Sequence, residues 1–460
     1  MKNIIYFAIF VFCTIPVFAQ DYGTGLQFND ENYDKVKQKA PLTRSLYNNL
    51  PSQASLKMYA PIPKSQGAYG TCVGWSTAYC ALTIVEALKN GWTDKDYITD
   101  NTFSPGFIYK QVKASDDHNC KFGVSIDDAL YVICTKGAAP FNDLEEKNCP
   151  ASIPNTIFQK AEKYRLQDYA RLFNVSDNYD TKIETTKKSI SENKPVVIGM
   201  KMPDSFYNAK DVWEPTEDYN LEFGGHAMCV VGYDDDKYGG AFEIQNSWGL
   251  NWGNEGYIWI KYTDYANFVK YAFELIEPLA SNKVAAKLSG KVKFVNADGN
   301  TMSATFTGNR FKMDNSYKSG TQFRIYISNN EPAYVYAFGS DETKQTFQIF
   351  PHLENISPLL NYKKNDVAIP DENHFIEMDN TIGTDYLCVL YSRTPLNIAD
   401  IQLKVKAASG NFQQKVVAAI GANLIEFNDV TYEGGDEFSF NANTKGKTVV
   451  ALMVETTHVK

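Results

Sequence analysis

The pattern of apolar and polar residues changes from a helical period to a strand period partway along the chain. Between residues 72 and 90 apolar side chains recur every three or four positions, which predicts one buried face of a helix that stops at Asn90-Gly91. Weaker helical patterns cover residues 104–114, 126–135 and 182–193. Short apolar runs between turn residues predict strands at 196–200, 227–233, 241–245, 257–262, 292–295, 323–328, 334–338, 347–350, 386–391, 401–405 and 448–455.

This change of pattern predicts an α+β chain with two domains. A chain of 460 residues exceeds what one hydrophobic core usually organises. The boundary is expected at 283–287, which gives a mixed domain at 46–282 and an antiparallel β-sandwich at 288–460, because no long helix is predicted among the later strands. Residues 20–45 are polar and lack a clear period, so we interpret them as an extended leader or a short prosegment.

The first 19 residues have the three parts of a signal peptide. A lysine at position 2 precedes an apolar run from Ile4 to Val17, and small residues precede a predicted cut after Ala19. No later stretch reaches the roughly 20 apolar residues that a membrane helix needs, so no membrane insertion is expected. Lipid attachment at Cys13 is disfavoured because bulky residues precede it. The sequence therefore predicts a secreted or periplasmic protein.

Charge and composition exclude some functions. The net charge of -9 and the pI near 5.3 argue against nucleic acid as a partner, because phosphate binding needs a positive field. No spacing of His, Cys and Asp is typical of a zinc site, and no metal is expected. Four of the five histidines lack any partner pattern and are interpreted as surface or loop residues: His118, His352, His374 and His458.

Cleavage after Ala19 leaves seven of the eight cysteines, an odd number in a compartment where disulfides form. At least one thiol must then stay unpaired. Cys120 and Cys149 lie in polar loops on either side of a helix, and we expect a disulfide between them, although sequence alone does not fix the pairing. Cysteines within apolar periodic segments are expected to fill the core: Cys80, Cys134, Cys229 and Cys388.

Three remote segments supply the groups that nucleophilic acyl transfer requires. Cys72 begins the first predicted helix, where backbone N–H groups favour thiolate, and the Gln66 amide could serve with the Cys72 N–H as an oxyanion donor. His226 follows two glycines at the start of a strand and could act as a base. In the third segment, Asn246 could orient the imidazole through its carbonyl, and Trp248 could shield that hydrogen bond from water.

Together these segments resemble the papain-like cysteine peptidases over about residues 50–277. The resemblance implies a two-lobed domain with a helical lobe and a β-barrel-like lobe, peptide or protein substrates, and no cofactor. It implies that Gly123 offers its backbone to an extended substrate. The sequence departs from the family at Tyr69, where a cysteine usually forms a disulfide, and at Val73. The matching site residues are Gln66, Cys72, His226, Asn246 and Trp248.

Other functions use the same residues. An amine in place of water would make the enzyme a peptide ligase or transpeptidase, and a related amidase would cut cell-wall peptides. A catalytically idle, peptide-binding module is a third hypothesis, but it predicts the loss of a site residue and all four catalytic candidates are present. In the C-terminal domain, the segment at 323–350 resembles a β-rich accessory domain of unknown function, for which docking to the cell envelope or to proteins is a hypothesis.

Overall fold

The protein is described from a computed structural model that covers residues 22–144, 147–278, 287–341, 345–362 and 364–460. The predicted signal peptide, residues 1–19, lies outside these ranges, as do residues 283–286 of the predicted domain boundary. Across the described ranges, we find no helix with the length and apolarity that crossing a bilayer requires.

The first domain packs helices around one eight-stranded sheet. Its helices, including two in the leader, are α1 (Asp30–Lys35), α2 (Arg44–Asn48), α3 (Cys72–Gly74), α4 (Thr83–Asn90), α5 (Lys95–Asp100), α6 (Pro105–Val112), α7 (Ile126–Lys136), α8 (Asn155–Ala161), α9 (Tyr179–Ser191) and α10 (Tyr262–Phe268). Its strands are β1 (Gln53–Ser55), β2 (Asp168–Arg171), β3 (Val196–Lys201), β4 (Val212–Trp213), β5 (Gly225–Asp234), β6 (Ala241–Gln245), β7 (Tyr257–Lys261) and β8 (Val269–Ile276). The order is β2-β8-β3-β5-β6-β7-β4, with β1 paired to β5.

The helix predicted over residues 72–90 is confirmed, and local chemistry explains its bounds. Its middle part, Trp75–Leu82, is a π-helix that joins α3 to α4. Gly91 ends α4 in the left-handed region, at φ 68°, which favours glycine. The next predicted helix is confirmed as α6, where Ser104 caps the first turn by accepting a hydrogen bond from the Phe107 N–H.

The second domain is a β-sandwich, as predicted. Its elements are β9 (Lys287–Asn296), β10 (Ala304–Phe306), β11 (Phe311–Lys318), β12 (Gln322–Asn329), β13 (Ala333–Ser340), β14 (Thr346–Phe350), β15 (Leu359–Leu360), β16 (Val367–Ile369), β17 (Ile376–Glu377), β18 (Gly383–Ser392), α11 (Ile398–Ala407), α12 (Phe412–Ile420), β19 (Val430–Glu433), β20 (Phe438–Asn443) and β21 (Val449–Val459). One sheet has the order β10-β11-β21-β18-β13-β14, with β15 on β13, and the other has the order β16-β12-β9-β20-β19, with β17 on β12. The pairing is antiparallel except between β11 and β21, which run parallel.

Two predictions for this domain were wrong. Residues 401–405 lie in helix α11 and not in a strand, because Ile401 and Val405 share one helix face that packs onto the sheet beside Leu390. Their alternation with polar residues also fits a strand, so the pattern was ambiguous. His458 is buried on β21, 3.0 Å from a carboxylate oxygen of Asp385, and is not a surface residue.

The leader is more structured than its polar composition predicted. Residues 22–28 run extended over the first domain, α1 follows, and residues 37–44 lie between the two domains. Six of its residues are nearly inaccessible to solvent: Leu26, Tyr33, Lys39, Ala40, Leu42 and Thr43.

Candidate active site

The structure places Cys72 at the first position of α3, inside the domain. Gly74, in the same short helix, lets α3 pack closely against α6, because a Cβ on Gly74 would fall 2.5 Å from the main-chain oxygen of Pro105. This close packing fixes the position of Cys72. A cysteine at a helix start lies in the field of unpaired backbone N–H groups, which stabilises a thiolate. The local geometry thus favours a reactive sulfur once it is reached by solvent or substrate.

His226 and Asn246 lie on neighbouring strands and form a hydrogen bond. The imidazole Nε2 lies 2.8 Å from Asn246 Oδ1. The backbone N–H of Ser247 donates to the same oxygen at 2.7 Å, so this atom is the acceptor and the histidine carries its proton on Nε2. The other ring nitrogen, Nδ1, is buried and makes no hydrogen bond in the described structure, which leaves its lone pair for a proton.

Trp248 covers this hydrogen bond. Its indole stacks on the His226 ring, with the ring centroids 4.9 Å apart, and on the Tyr207 ring at 5.2 Å. The indole Nε1 donates to the main-chain oxygen of Gly23 at 2.8 Å. The sequence did not single out Tyr207, because nothing in its spacing connects it to Trp248.

The Cys72 thiol lies beside the strand that carries His226. The backbone N–H of Ala227, the next residue after the histidine, is close enough to the sulfur to favour the thiolate. Burial raises the pKa of Cys72 to about 12, although this N–H and that of Gly25 act to lower it. Burial also lowers the pKa of His226 to about 4, against the hydrogen bond to Asn246, which raises it. In this state both groups are therefore neutral at pH 7.

Gln66 is fixed beside these residues. Its Oε1 accepts from the Ser247 hydroxyl at 2.5 Å, and its Nε2 donates to the main-chain oxygen of Tyr69 at 2.7 Å. The first of these bonds orients the carboxamide, and a second N–H remains on Nε2. The role of Gln66 as an oxyanion donor stays a prediction.

Gly123 lies at the edge of the same groove. Its φ is +80°, and a Cβ there would fall 2.0 Å from the main-chain oxygen of Gly25. The Gly123 N–H donates to the Tyr109 hydroxyl. The backbone hydrogen bonds to the leader are made by the next residue, Val124. Close by, Cys120 forms a disulfide with Cys149. A substrate-binding role for Gly123 stays a prediction.

Residues 22–28 of the leader fill the groove between these walls, and we call them the cleft segment. Four backbone hydrogen bonds hold it, at 2.9 to 3.1 Å: Gly23 N to Gly67 O, Val124 N to Gly25 O, Leu26 N to Gly225 O and Gln27 N to Val124 O. Tyr22 stacks on Trp248 with ring centroids 4.8 Å apart. Sequence reasoning missed this segment, since backbone pairing leaves almost no trace in side-chain pattern.

The side chain of Leu26 in the cleft segment enters an apolar pocket. Only 5% of Leu26 is exposed, and a Cβ on Gly199 would fall 2.7 Å from its Cδ2. Tyr271 and Ile126 also line this pocket beside Gly199. Within the described residues, no three His, Cys, Asp or Glu side chains are grouped as a metal site would need.

Comparison with known proteins agrees with this geometry. Residues 64–272 match the family described as "Papain family cysteine protease", and residues 316–395 match a "Domain of unknown function (DUF4384)". An uncharacterized peptidase C1-like protein of Acanthamoeba polyphaga mimivirus is 28% identical over 213 residues, which are 43% of this chain and 63% of that protein. A cysteine protease of Blomia tropicalis is 25% identical over 54% of this chain and 73% of its own length.

Among solved structures, xylellain, a cysteine protease from Xylella fastidiosa, matches 56% of this chain and 96% of its own, at 22% identity and a TM-score of 0.45. The match to the viral relative spans less than two thirds of that protein. The family match includes Gln66, Cys72, His226 and Asn246 within its bounds. Over residues 64–272 this chain is therefore similar to the papain family of cysteine proteases.

Proposed function

We propose that this chain is a secreted cysteine peptidase that is made in a latent form and hydrolyses peptide bonds through an acyl-enzyme. The observation that carries the proposal is the hydrogen bond of 2.8 Å between His226 and Asn246, beside a cysteine at a helix start. This arrangement leaves Nδ1 of the imidazole without a partner among the described residues, and the N–H of Ala227, the residue after His226, acts to lower the pKa of Cys72. Such groups can exchange a proton and attack a carbonyl.

Each residue has one role in the proposed reaction. Cys72 gives its proton to His226 and attacks the peptide carbonyl carbon, and the oxygen takes the negative charge. The Cys72 N–H and the Gln66 amide stabilise that oxyanion. His226 then protonates the leaving amine, and a water molecule, deprotonated by the same imidazole, hydrolyses the thioester. Asn246 holds the ring in the tautomer that these steps need.

The latent state follows from the cleft segment. It buries Cys72 and His226, both of which are wholly inaccessible to solvent. The N–H of Gly25 acts to lower the pKa of Cys72, and the Gly25 oxygen accepts from the Val124 N–H on the opposite wall. The cleft segment therefore occupies the groove that a substrate would have to enter.

The test is labelling by an electrophilic epoxide probe after removal of the cleft segment. We expect one label, on Cys72, with loss of peptide hydrolysis, and no label in the Cys72→Ala variant. Cys134→Ala is the matched control, because Cys134 is also a free thiol and lies outside the groove. Labelling of another cysteine with Cys72 untouched would contradict the proposal.

The alternatives separate in product analysis. With an added amine nucleophile, a ligase or transpeptidase gives the amide as the main product, whereas a peptidase gives the free acid. Peptidoglycan fragments test the amidase hypothesis. An idle module would bind peptide without any label on Cys72. Secretion and docking of the C-terminal domain to envelope or protein targets remain predictions from the sequence.

A further inference from the structure

An open cavity of about 360 Å³ lies between the two sheets of the second domain. We call it the sandwich cavity. Small-molecule pockets in proteins have volumes of roughly 300–1,000 Å³, so this cavity has room for one small ligand. Its apolar lining comes from both sheets and from the loops beside them, and includes Phe323, Ile325, Ile349, Leu387, Met302 and Met378.

A large aromatic side chain at this cavity is exposed to solvent. Phe347 lies on β14, at one end of the sheet order, and is 52% exposed. Its ring lies over Gly339 on the neighbouring strand, where a Cβ would fall 2.5 Å from two ring carbons. Because burial of apolar surface is favourable, a ligand that covers this ring and fills the space behind it would gain free energy.

The charged groups that line the cavity are all acidic. Among the described lining residues, none is basic and four are carboxylates: Asp341, Glu377, Asp379 and Asp385. Burial raises the pKa of Asp385, as do the charges of Asp379 and Asp341, whereas the nearby His458 acts to lower it. A positive charge placed among these carboxylates would relieve their mutual repulsion.

Asp385 belongs to a short chain of polar contacts. His458 Nδ1 lies 3.0 Å from a carboxylate oxygen of Asp385, and Nε2 lies 3.0 Å from the Ser319 hydroxyl. A neutral ring with its proton on Nδ1 suits both contacts and leaves Asp385 negatively charged.

The order of serine, histidine and aspartate also resembles the triad of a hydrolase. However, the backbone N–H groups of Ser319 and Gly320 donate to main-chain oxygens at 3.1 and 2.8 Å, so neither is available to stabilise an oxyanion beside Ser319. These contacts therefore favour a binding role for Asp385 over a catalytic role for Ser319.

We propose that the sandwich cavity binds a small amphiphilic amine, with its apolar part between the sheets and its positively charged nitrogen at Asp385 and Asp379. The Asp385 side chain is 29% exposed, so the nitrogen can keep part of its hydration while it pairs with the carboxylate. The Asp379 carboxylate accepts from the Thr381 N–H at 2.7 Å, which fixes its position at the cavity. This site goes beyond the proposed peptidase function and requires nothing of Cys72.

Three probes of equal chain length test the proposal on the full chain: octylammonium, octanol and octanoate. By calorimetry we expect octylammonium to bind roughly tenfold more tightly than octanol, because partly exposed ion pairs each contribute modestly, and octanoate to bind more weakly than octanol. In methyl NMR, octylammonium should shift the signals of Met302 and Met378, which line the cavity. The signal of Met228, buried on β5 in the first domain, should stay unchanged.

Variants separate the contribution of charge from that of shape. The double variant Asp379→Asn, Asp385→Asn keeps the shape of both side chains and should lose roughly tenfold in affinity for octylammonium, with the affinity for octanol unchanged. The matched control Glu433→Gln removes an exposed carboxylate on β19, at the opposite end of its sheet from β12, and should bind all three probes like the wild type. Ile349→Trp fills the cavity from β14 and should weaken the binding of every probe.

Three results would each overturn the proposal. They are the absence of a shift at Met302 and Met378, an affinity for octanoate equal to that for octylammonium, and an unchanged affinity for octylammonium in the double asparagine variant. If Ile349→Trp does not fold, the asparagine variants still decide the case. Because none of these measurements uses the thiol of Cys72, failure of this binding site and failure of the proposed peptidase function are distinguishable.

Discussion

Replacing Gly25 with alanine should open the latent form without any cut in the chain. Gly25 does not have a positive φ, so alanine fits its backbone conformation. However, a Cβ at this position would fall 2.2 Å from the main-chain oxygen of Gly70 and 2.5 Å from its carbonyl carbon. These are backbone atoms beside the helix that carries Cys72, so the cleft segment has to move away from its wall.

The size of the effect follows from what the cleft segment loses. Its four backbone hydrogen bonds contribute roughly 0.5–1.5 kcal/mol each, and burial of Leu26 contributes about 1.5–3 kcal/mol. The ordering of seven residues offsets much of this sum. Overpacking by one methyl group usually costs about 1–3 kcal/mol. The open fraction, and with it the rate at which Cys72 reacts, should therefore rise by about 5- to 150-fold.

The assay is the second-order rate of labelling by the epoxide probe, with intact mass proving that the leader is still attached. Gln27→Ala is the matched control within the cleft segment, because it removes only an exposed side-chain bond to the Phe122 oxygen at 3.0 Å. Cys72→Ala in each background accounts for other thiols. If Gly25→Ala reacts no faster than the wild type while both are folded and unprocessed, the cleft segment does not control access to Cys72.

Three further outcomes are expected. Asn246→Ala should lower kcat/KM of the processed enzyme by about 10²-fold or more, because His226 loses the acceptor that fixes its tautomer, and an unchanged value would contradict the assigned role. The latent form holds the pKa of His226 at about 4, below its ordinary 6.5, so the open form binds the extra proton. Acid therefore favours opening, by up to about 3 kcal/mol as pH falls from 6.5 through 4, and hydrogen exchange in residues 22–28, corrected for intrinsic rates, should lose protection. The buried Lys39 ammonium lies 2.7 Å from both carboxylate oxygens of the buried Glu274, which also faces Lys194 at 3.2 Å. Lys39→Met should cost about 3–5 kcal/mol of unfolding free energy in thermal or denaturant melts, whereas the double variant Lys39→Met, Glu274→Leu should recover most of it. Equal losses in the two variants would show that Glu274 is not left as an uncompensated charge.

The sequence was most informative where chemistry requires particular residue types. The candidate residues Cys72, His226 and Asn246 were chosen because their local contexts suit a nucleophile, a base and an orienting amide, and the structure brings His226 and Asn246 together. Family resemblance supplied the rest of that expectation. Helix α6 was predicted from the helical spacing of its apolar residues, because Phe107 and Val112 can share one helix face.

The features that were missed have weaker sequence signals. The cleft segment binds through main-chain atoms. Its glycines at 23 and 25 allow the backbones to approach closely, but in a sequence a glycine equally indicates a turn. Ala40, Pro41 and Leu42 form only a short apolar run after a polar stretch, and the burial of Ala40 depends on a domain that begins about 250 residues later. His458 was expected at the surface, because a histidine near a terminus is usually exposed. Its strand is instead central in the sheet, so the side chain is buried.

Residues 37–44, which bond to Arg171 of the first domain and to residues 355–357 of the second, have a consequence for protein engineering. A fragment that starts at residue 288 would lack Ala40 and Leu42, and the core of its sandwich would have an unfilled space. A fragment that ends near residue 277 would lack residues 355–357, to which the main chain of Gln38 bonds. A chimera that takes either domain from another protein would also have to take the residues that correspond to 37–44. We therefore expect the two domains to unfold together in the full chain and each to be less stable as an isolated fragment.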